Sequence, residues 1–188
     1  MVQRLLRKPV TWLVLVVLAA GVGLGLYWFQ PWKLFTDKEI RDAVPAVAPP
    51  APPAASPAPP AASPGAPGPG GNLLLAAGSF VTHEHDTGGD VQLVQLADGR
   101  RQLVLRGLVT SDGPDLRVWL TDQPVRKGTA GWRVFDDGRW VELGRLKGNR
   151  GDQVYDVPAG VDLAGLRSVS IWCRRFAVSF GAAELRAT

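Results

Sequence analysis

The stretch SVSIWCRRFAVSF, residues 168–180, decides the fold class of the chain. β-Branched and aromatic residues alternate in it with small polar ones, and a period of two residues is typical of β-strands. On a strand, Val169, Ile171 and Cys173 share one face, and Trp172 lies on the other. The stretch therefore predicts a core strand that ends at Cys173, the single cysteine of the 188-residue chain.

Two arginines, Arg174 and Arg175, interrupt this pattern. The apolar residues after them, beginning with Phe176, are one position out of phase with Cys173. One extra residue in a strand reverses the facing of those that follow, as in a β-bulge, whereas arginine tolerates poorly the positive φ of a two-residue hairpin turn. The sequence therefore predicts a bulge at the arginines, a second strand over 176–181, and Cys173 at the edge of the core.

Similar short runs follow one another from Asn72 onward. The predicted strands are 76–82, 91–97, 101–109, 116–121, 139–146, 152–157, 168–173 and 176–181. Asp98–Gly99 is a strong hairpin signal, residues 112–115 form a second turn, and residues 161–168 are expected to form one turn of helix. Short strands at this spacing predict an all-β domain over 72–188, an antiparallel β-sandwich of jelly-roll-like type.

Residues 10–29 form an apolar run of 20 residues without a charge, long enough to cross a bilayer as a helix. Tyr27, Trp28 and Trp32 lie at its far end, where aromatic residues favour the membrane interface. A cleaved signal peptide is the alternative, because small residues near Ala20 could form a cleavage site. The run continues past them to bulky aromatic residues, which favours an uncleaved signal anchor with one transmembrane helix.

The formal net charge of +4 is concentrated before this run, in Arg4, Arg7 and Lys8. The positive-inside rule therefore predicts a cytoplasmic tail over 1–9 and an extracytoplasmic C-terminal domain, held at the cell membrane by one span. Residues 72–188 contain 15 basic and 14 acidic residues. Such a balance lacks the basic surface that nucleic-acid binding needs, so a nucleic-acid partner is excluded.

Residues 43–71 contain 11 of the 16 prolines and no charged residue. Proline lacks the amide N–H and fixes φ, so this segment is expected to form neither helix nor sheet. It is predicted to be an extended Pro/Ala-rich stalk, with a maximal reach of roughly 90 Å. With the juxtamembrane residues it gives a predicted linker over 30–71 that holds the domain away from the bilayer.

Cys173 has two interpretations. As the single cysteine it excludes an intramolecular disulfide, CxxC redox pairs, zinc ribbons, iron–sulfur clusters and c-type haem attachment. A free cysteine is often a small buried hydrophobic residue. Alternatively, Arg174 and Arg175 would favour the thiolate and lower the pKa of the thiol, which makes a cysteine reactive. On this second interpretation Cys173 is a redox residue, and its predicted supporting residues are Trp172, Arg174, Arg175, His85 and Asp115.

His83 and His85 are two residues apart, and on a strand both would point to one face. Two imidazoles on one face can begin a metal site, and one imidazole can ligate haem iron. The alternative is a polar surface loop, since the glycines at 88–89 follow. A metal site would be strongly indicated only if Cys173 or Asp115 converged on the histidines.

Several segments of the folded domain together resemble one family. They are GSF at 78–80, His85 with its glycine turn, GPDLRVWL at 113–120, LGRLKGNRGDQVYDVP at 143–158 and SVSIWCRRFAVSFGAAEL at 168–185. In this order they look like the DM-thirteen domain, and the anchor and stalk resemble those of bacterial membrane-tethered proteins. The resemblance implies an electron-transfer or redox role, with Cys173 at the position of the family's proposed redox cysteine. It specifies no cofactor, and the electron partner is expected to be a separate protein.

The predicted function is a membrane-anchored redox module that uses Cys173, with no reaction that can be called catalysis. One alternative is a non-enzymatic binding or adhesion module in which Cys173 only packs, and another is a metal- or haem-binding domain. The GxSxG, P-loop, HExxH and GxGxxG motifs of common enzymes do not occur. The tryptophans of the domain are predicted to pack in the core or on sheet faces: Trp119, Trp132, Trp140 and Trp172.

Overall fold

The computed structural model describes residues 9–47 and 71–188. It contains helix α1 (Pro9–Phe29) and two 3₁₀ helices (Pro31–Phe35 and Gly128–Gly131). The strands of these ranges are β1 (Glu39–Arg41), β2 (Leu73–Thr82), β3 (Gly88–Gln95), β4 (Arg101–Val109), β5 (Leu116–Thr121), β6 (Trp140–Arg145), β7 (Arg150–Val157), β8 (Ser168–Cys173), β9 (Val178–Glu184) and β10 (Arg186–Ala187). The tail over 1–8 and the proline-rich residues 48–70 lie outside the described residues, as do the predictions made for them.

One continuous sheet contains all these strands. They are hydrogen-bonded in the order β1-β7-β4-β3-β2-β9-β8-β5-β6, and β10 pairs with β2. β2 joins the two halves, because Leu73–Ser79 pairs with β3 and Phe80–Thr82 pairs with β9. The neighbours are antiparallel except for β1, which runs parallel to β7. The sheet curves at β2 into a half-barrel, and the prediction of an all-β fold is confirmed.

The main core lies between the inner faces of the two halves. On β8 the inner residues are Val169, Ile171 and Cys173, as the alternation predicts. The other buried members come mainly from the neighbouring strands: Phe80, Val91, Leu93, Leu103, Leu105, Leu108, Leu116, Val118, Leu120, Tyr155, Val157, Leu166, Val178, Phe180 and Ala183. Burial of this apolar surface is the main force that holds the halves together.

The outer face of β8 is buried as well. Trp172 packs there with Trp119, Phe135 and Ala182 in a second cluster, because the loop over 122–139 covers this face. All six residues of β8 are therefore buried. The alternation along β8 separates two cores, rather than a core from solvent.

The residues after Cys173 differ from the prediction. Arg174 to Ala177 form a tight turn between β8 and β9, and Ala177 carries the positive φ of 49°. The bulge predicted at the arginines is wrong in position. It lies on β9, where Ile171 pairs with Gly181 and Trp172 with Ser179, so that Phe180 is the extra residue. A four-residue turn places the positive φ on alanine, so neither arginine has to adopt it.

Two other predicted turns can be compared with the structure. Asp98–Gly99 closes the β3–β4 hairpin, with Gly99 at a φ of 85°, which confirms that prediction. The turn over 112–115 leads into β5 at Leu116, also as predicted. The helical turn predicted over 161–168 is wrong. A turn with Gly165 at a φ of 80° forms there instead, since an α-helix cannot continue through that conformation.

Strand β1 precedes the proline-rich segment but belongs to the same sheet. Glu39, Ile40 and Arg41 pair with residues 150–152 of β7, and the amide of Asn149 fixes the approach by accepting from the Lys38 N–H at 2.7 Å. Farther along, Asn72 donates to the Ala46 carbonyl at 2.9 Å. The chain therefore enters and leaves the proline-rich segment at one place on the domain, and the predicted domain of 72–188 omits a strand of its own sheet.

Candidate functional site

Cys173 lies at the end of β8, where the turn to β9 begins. Its backbone is paired with Leu116 of β5 on one side and with Val178 of β9 on the other. The residue has 0% of its surface exposed, and it belongs to the main core. The thiol is therefore closed off from solvent by the strands on both sides and the turn above it.

Burial raises the pKa of the Cys173 thiol, because a thiolate would lose its hydration there. The backbone N–H groups of Phe176, Arg175 and Asp115, which lie near the sulfur, act in the opposite direction and lower the pKa in part. The Glu84 carboxylate adds to the increase through its negative charge. Burial outweighs the three amides, so the thiol is protonated at neutral pH.

The two arginines act through their backbone and not through their charges. Arg174 is exposed, and its N–H donates to the Asp115 carbonyl at 3.0 Å. The Arg175 guanidinium turns to the end of α1, where Nη1 donates to the carbonyls of Tyr27 at 3.1 Å and Trp28 at 2.7 Å. The guanidinium also lies over both aromatic rings. The expected lowering of the thiol pKa by the guanidinium groups is therefore not found.

The end of α1 covers the turn after Cys173. Phe29 stacks on Phe176 with ring centroids 5.6 Å apart, and Lys33 Nζ donates to the Gly113 carbonyl at 3.0 Å. A cavity of about 330 Å³ lies between these groups, lined also by His85 and by Phe180. Cys173 does not line this cavity, so the sulfur stays behind the aromatic side chains.

His83 and His85 lie on opposite sides of β9, so the prediction that they share a face is wrong. His83 reaches Ser179, whereas the His85 ring packs on Phe180 at a centroid distance of 3.9 Å. Strand β2 ends at Thr82, and the bend after it breaks the two-residue alternation. Among residues 9–47 and 71–188, no three His, Cys, Asp or Glu side chains are grouped as metal ligands.

His83 belongs to a buried chain of hydrogen bonds. Its Nε2–H donates to the Arg126 carbonyl at 3.0 Å, which leaves Nδ1 to accept from the Ser179 hydroxyl at 2.8 Å. Ser170 in turn donates to Ser179 at 3.0 Å. Burial lowers the pKa of His83, and the Arg126 carbonyl opposes this only in part. A Cβ at Gly131 would collide with the Arg126 carbonyl, so glycine is needed where the loop closes over this network.

Asp115 and Trp172, the other supporting candidates, do not bring a side chain to the sulfur. The Asp115 carboxylate accepts from Arg117 at 2.8 Å and pairs with Arg145 at 3.5 Å, so only its backbone N–H serves Cys173. Trp172 points to the outer face, because it precedes Cys173 on the strand. Of the predicted site residues, Arg175 and Asp115 therefore affect the thiol, and both do so through their backbone N–H groups.

A stack of indole rings on the outer face was not predicted. Trp119 lies 4.0 Å from Trp140 and 5.0 Å from Trp172, measured between ring centroids. The sequence does carry a signal, because Trp119 and Trp172 share a facing on strands that prove to be neighbours. The strand order β6-β5-β8 was needed to bring the three rings together.

Comparison with family models gives one match, described as "Electron transfer DM13", over residues 79–185. The chain belongs to this family. The match extends from within β2 to the residue after β9, so it includes Cys173, its turn and the outer-face cluster. The resemblance to the DM-thirteen domain is thereby confirmed. No curated protein and no solved structure matches the chain.

Proposed function

We propose that the protein is a membrane-anchored redox module whose β-domain exchanges electrons outside the cytoplasm through Cys173. Membership of an electron-transfer family supports the redox role. The proposal assigns the change of oxidation state to the single thiol of the chain. A separate redox protein would supply or accept the electrons.

One observation carries the assignment to Cys173. The backbone N–H groups of Asp115, Arg175 and Phe176 lie near its sulfur and favour a negative charge there, which lowers the pKa of the thiol in part. A thiolate at that sulfur is stabilised by such dipoles without the movement of a charged side chain.

A peroxide is the oxidant class that a lone thiol can use. The Cys173 sulfur attacks one peroxide oxygen, the O–O bond breaks, and the sulfur becomes a sulfenic acid. The thiol proton goes to the leaving oxygen, which departs as water when the oxidant is hydrogen peroxide. An external thiol then attacks the sulfenic sulfur and releases water, and a second external thiol frees Cys173 from the mixed disulfide.

Helix α1 supports the membrane part of the proposal. It is the one helix of the described ranges that is long enough and apolar enough to cross a membrane, judged by length and composition. The basic residues Arg4, Arg7 and Lys8 precede it, which favours a cytoplasmic N-terminus. Arg175 binds the far end of α1, and Lys33 of the following 3₁₀ helix also binds the domain. The domain would therefore lie next to the outer surface of the bilayer, and the predicted linker over 30–71 would not hold it away.

The test measures thiol reactivity of the full chain in detergent as a function of pH. We expect slow reaction of Cys173 with a small alkylating reagent at neutral pH, faster reaction at alkaline pH, and formation of a sulfenic acid with hydrogen peroxide. The Cys173→Ser variant is the control for background reaction. A thiol that gives no sulfenic acid in the folded protein, yet does so in denaturant, would contradict the redox role.

The membrane topology is tested separately. In intact cells or spheroplasts, an external protease should remove residues 72–188, and it should leave the tail before α1 protected. Protection of the domain until the membrane is permeabilised would overturn the proposed orientation.

The complete burial of Cys173 favours a second candidate, a non-enzymatic binding or adhesion module in which the thiol only packs. On this candidate, Cys173→Ala lowers stability and leaves partner binding unchanged.

An optical spectrum and elemental analysis of the purified protein would reveal a haem or a metal, and either would redirect the assignment to a cofactor.

A further inference from the structure

Three tryptophans on the outer face of the sheet form a stack that leads from the surface inward. Trp140 begins β6, Trp119 lies on β5, and Trp172 lies on β8. The Trp140 and Trp119 rings are nearly parallel, at 6° and a centroid distance of 4.0 Å. Trp119 and Trp172 are 5.0 Å apart at 23°. Stacking at these distances places the π-systems in contact.

Exposure falls steeply along the stack. Trp140 is 42% exposed, Trp119 is 3% exposed, and Trp172 is 1% exposed. An oxidant or a protein partner can therefore reach the first ring and cannot touch the other two. Beyond Trp172 the aromatic contacts continue to Phe135, edge-on at 6.4 Å.

A carboxylate is hydrogen-bonded to the middle ring. The Trp119 indole N–H donates to Glu142 Oε2 at 3.2 Å. The other oxygen, Oε1, accepts from Arg117 Nη1 at 2.7 Å, and this contact holds the carboxylate in place. An indole that loses one electron becomes far more acidic at its N–H, comparable to a carboxylic acid, so an adjacent carboxylate can take the proton. For packing alone, any hydrogen-bond acceptor would serve.

We infer that Trp140, Trp119 and Glu142 form an electron port, at which a high-potential one-electron oxidant removes an electron from the domain. The oxidant takes one electron from Trp140, which becomes a radical cation. Trp119 passes an electron to Trp140 and transfers its indole proton to Glu142. The products are intact Trp140, a neutral Trp119 radical and a protonated Glu142, so charge and protons balance. The Trp172 ring shields the inner side of Trp119 from solvent.

This inference deepens the proposed function and rests on it only in that the domain exchanges electrons. It names a second redox group, the stacked tryptophans on the outer face of the sheet, whereas Cys173 lies on the inner face. It also names a class of partner, a one-electron oxidant that contacts Trp140. Because Trp172 and Cys173 point to opposite faces, the port and the thiol can be tested independently of each other.

The experiment generates the oxidant by light. The full chain in detergent is mixed with a ruthenium polypyridyl complex and an electron-accepting quencher, and a laser flash produces the oxidised complex. Transient absorption then follows the tryptophan radical, whose cationic and neutral forms have different visible bands. We expect a long-lived neutral radical in the wild-type protein, and loss of most of that signal in Trp140→Phe and in Trp119→Phe.

Two further variants separate the port from packing. Glu142→Gln keeps the size of the side chain, but the glutamine cannot accept the proton. The Trp119 radical should therefore stay cationic, and it should decay faster than the neutral radical of the wild-type protein. Trp132→Phe is the matched control and should leave the signal unchanged, since Trp132 lies outside the stack and its buried indole N–H has no partner among the described residues. Circular dichroism verifies that each variant folds. If Trp119→Phe does not fold, Trp140→Phe still provides the test, because the Trp140 ring is exposed.

Two results would overturn the inference. One is a neutral radical of wild-type yield in folded Trp140→Phe. The other is an unchanged ratio of cationic to neutral radical in Glu142→Gln. Thiol reactivity of the wild-type protein and the radical yield of Cys173→Ser together distinguish the two proposals. An inert thiol in the wild-type protein, with the neutral radical still formed in Cys173→Ser, removes only the thiol assignment. A reactive thiol in a wild-type protein that forms no neutral radical removes only the port.

Discussion

The two faces of β8 are both buried, but they are built differently. On the inner face, Val169, Ile171 and Cys173 contact apolar side chains of the main core. On the outer face, Ser170 and Trp172 meet a network of hydrogen bonds and stacked rings. The inner face is held by shape and apolar burial, whereas the outer face also depends on polar partners being present. The thiol is therefore protected by packing, while the outer face combines close packing with stacked indole rings and the titratable His83.

The largest expected effect comes from removing the ring that closes the outer face. Phe135 is fully buried and contacts both Trp172 and His83. Phe135→Ala should lower the free energy of unfolding by about 3–5 kcal/mol, because it leaves a cavity between the loop and the sheet. Denaturant unfolding measures the loss. A loss below about 1 kcal/mol would mean that the covering loop adds little to this face.

A smaller effect is expected from the hydrogen bonds of the same face. Ser179→Ala removes the hydroxyl that joins Ser170 to His83, and it leaves buried polar groups without partners. We expect a loss of about 1–3 kcal/mol in the free energy of unfolding. Ser170→Ala is the matched control and should cost less, because Ser179 still donates to His83. Equal losses in the two variants would contradict the inferred direction of the hydrogen-bond chain.

The outer face should also make stability depend on pH. His83 has a folded-state pKa below the ordinary 6.5, so the unfolded chain binds the proton more readily than the folded one. Its contribution to stability is therefore complete above pH 6.5 and falls as the pH decreases below that value. Unfolding measured between pH 8 and 5 should show this slope, and the slope should decrease in His83→Gln. An unchanged slope in that variant would assign the pH dependence to other groups.

The smallest expected effect concerns the cover over the inner face. Arg175→Ala removes the donors to the Tyr27 and Trp28 carbonyls at the end of α1, but the turn keeps its backbone contacts. Hydrogen exchange of residues 174–177 should become faster, and global unfolding should change little. Arg174→Ala, at an exposed side chain, is the control. If both variants behaved like the wild type, the contact with α1 would not help to close the turn over Cys173.

Much of the fold could be predicted from local pattern. Strands β4, β5 and β8 begin and end where the alternation predicts, at 101–109, 116–121 and 168–173. The bulge could not be placed from the sequence. The apolar residues change face in the same way whether the extra residue is at Arg174 or, as the structure has it, at Phe180. Strand β1 has only three residues, too few to show a period, and it is held by long-range partners such as Asn149.

The candidate site could be predicted only in part. The position of Cys173 at the end of a core strand follows from its sequence neighbours, but its pKa depends on burial and on amides from two separate segments. Arg175 is only two residues after the cysteine, but its guanidinium donates to carbonyls at the end of α1, a segment far away in the chain. The indole stack required the order of strands β6, β5 and β8, which alternation does not contain.

The all-β class, the apolar helix and the family could be predicted from the amino-acid sequence, since each depends on residue types at short spacing. The environment of each side chain depends on tertiary structure. Burial raises the pKa of the Cys173 thiol, the two histidines lie on opposite sides of β9, and three tryptophans are in contact. The physical reason is that alternation assigns a side chain to a face of a strand. What covers that face depends on loops and strands far away in the chain, here the loop over 122–139 and the end of α1.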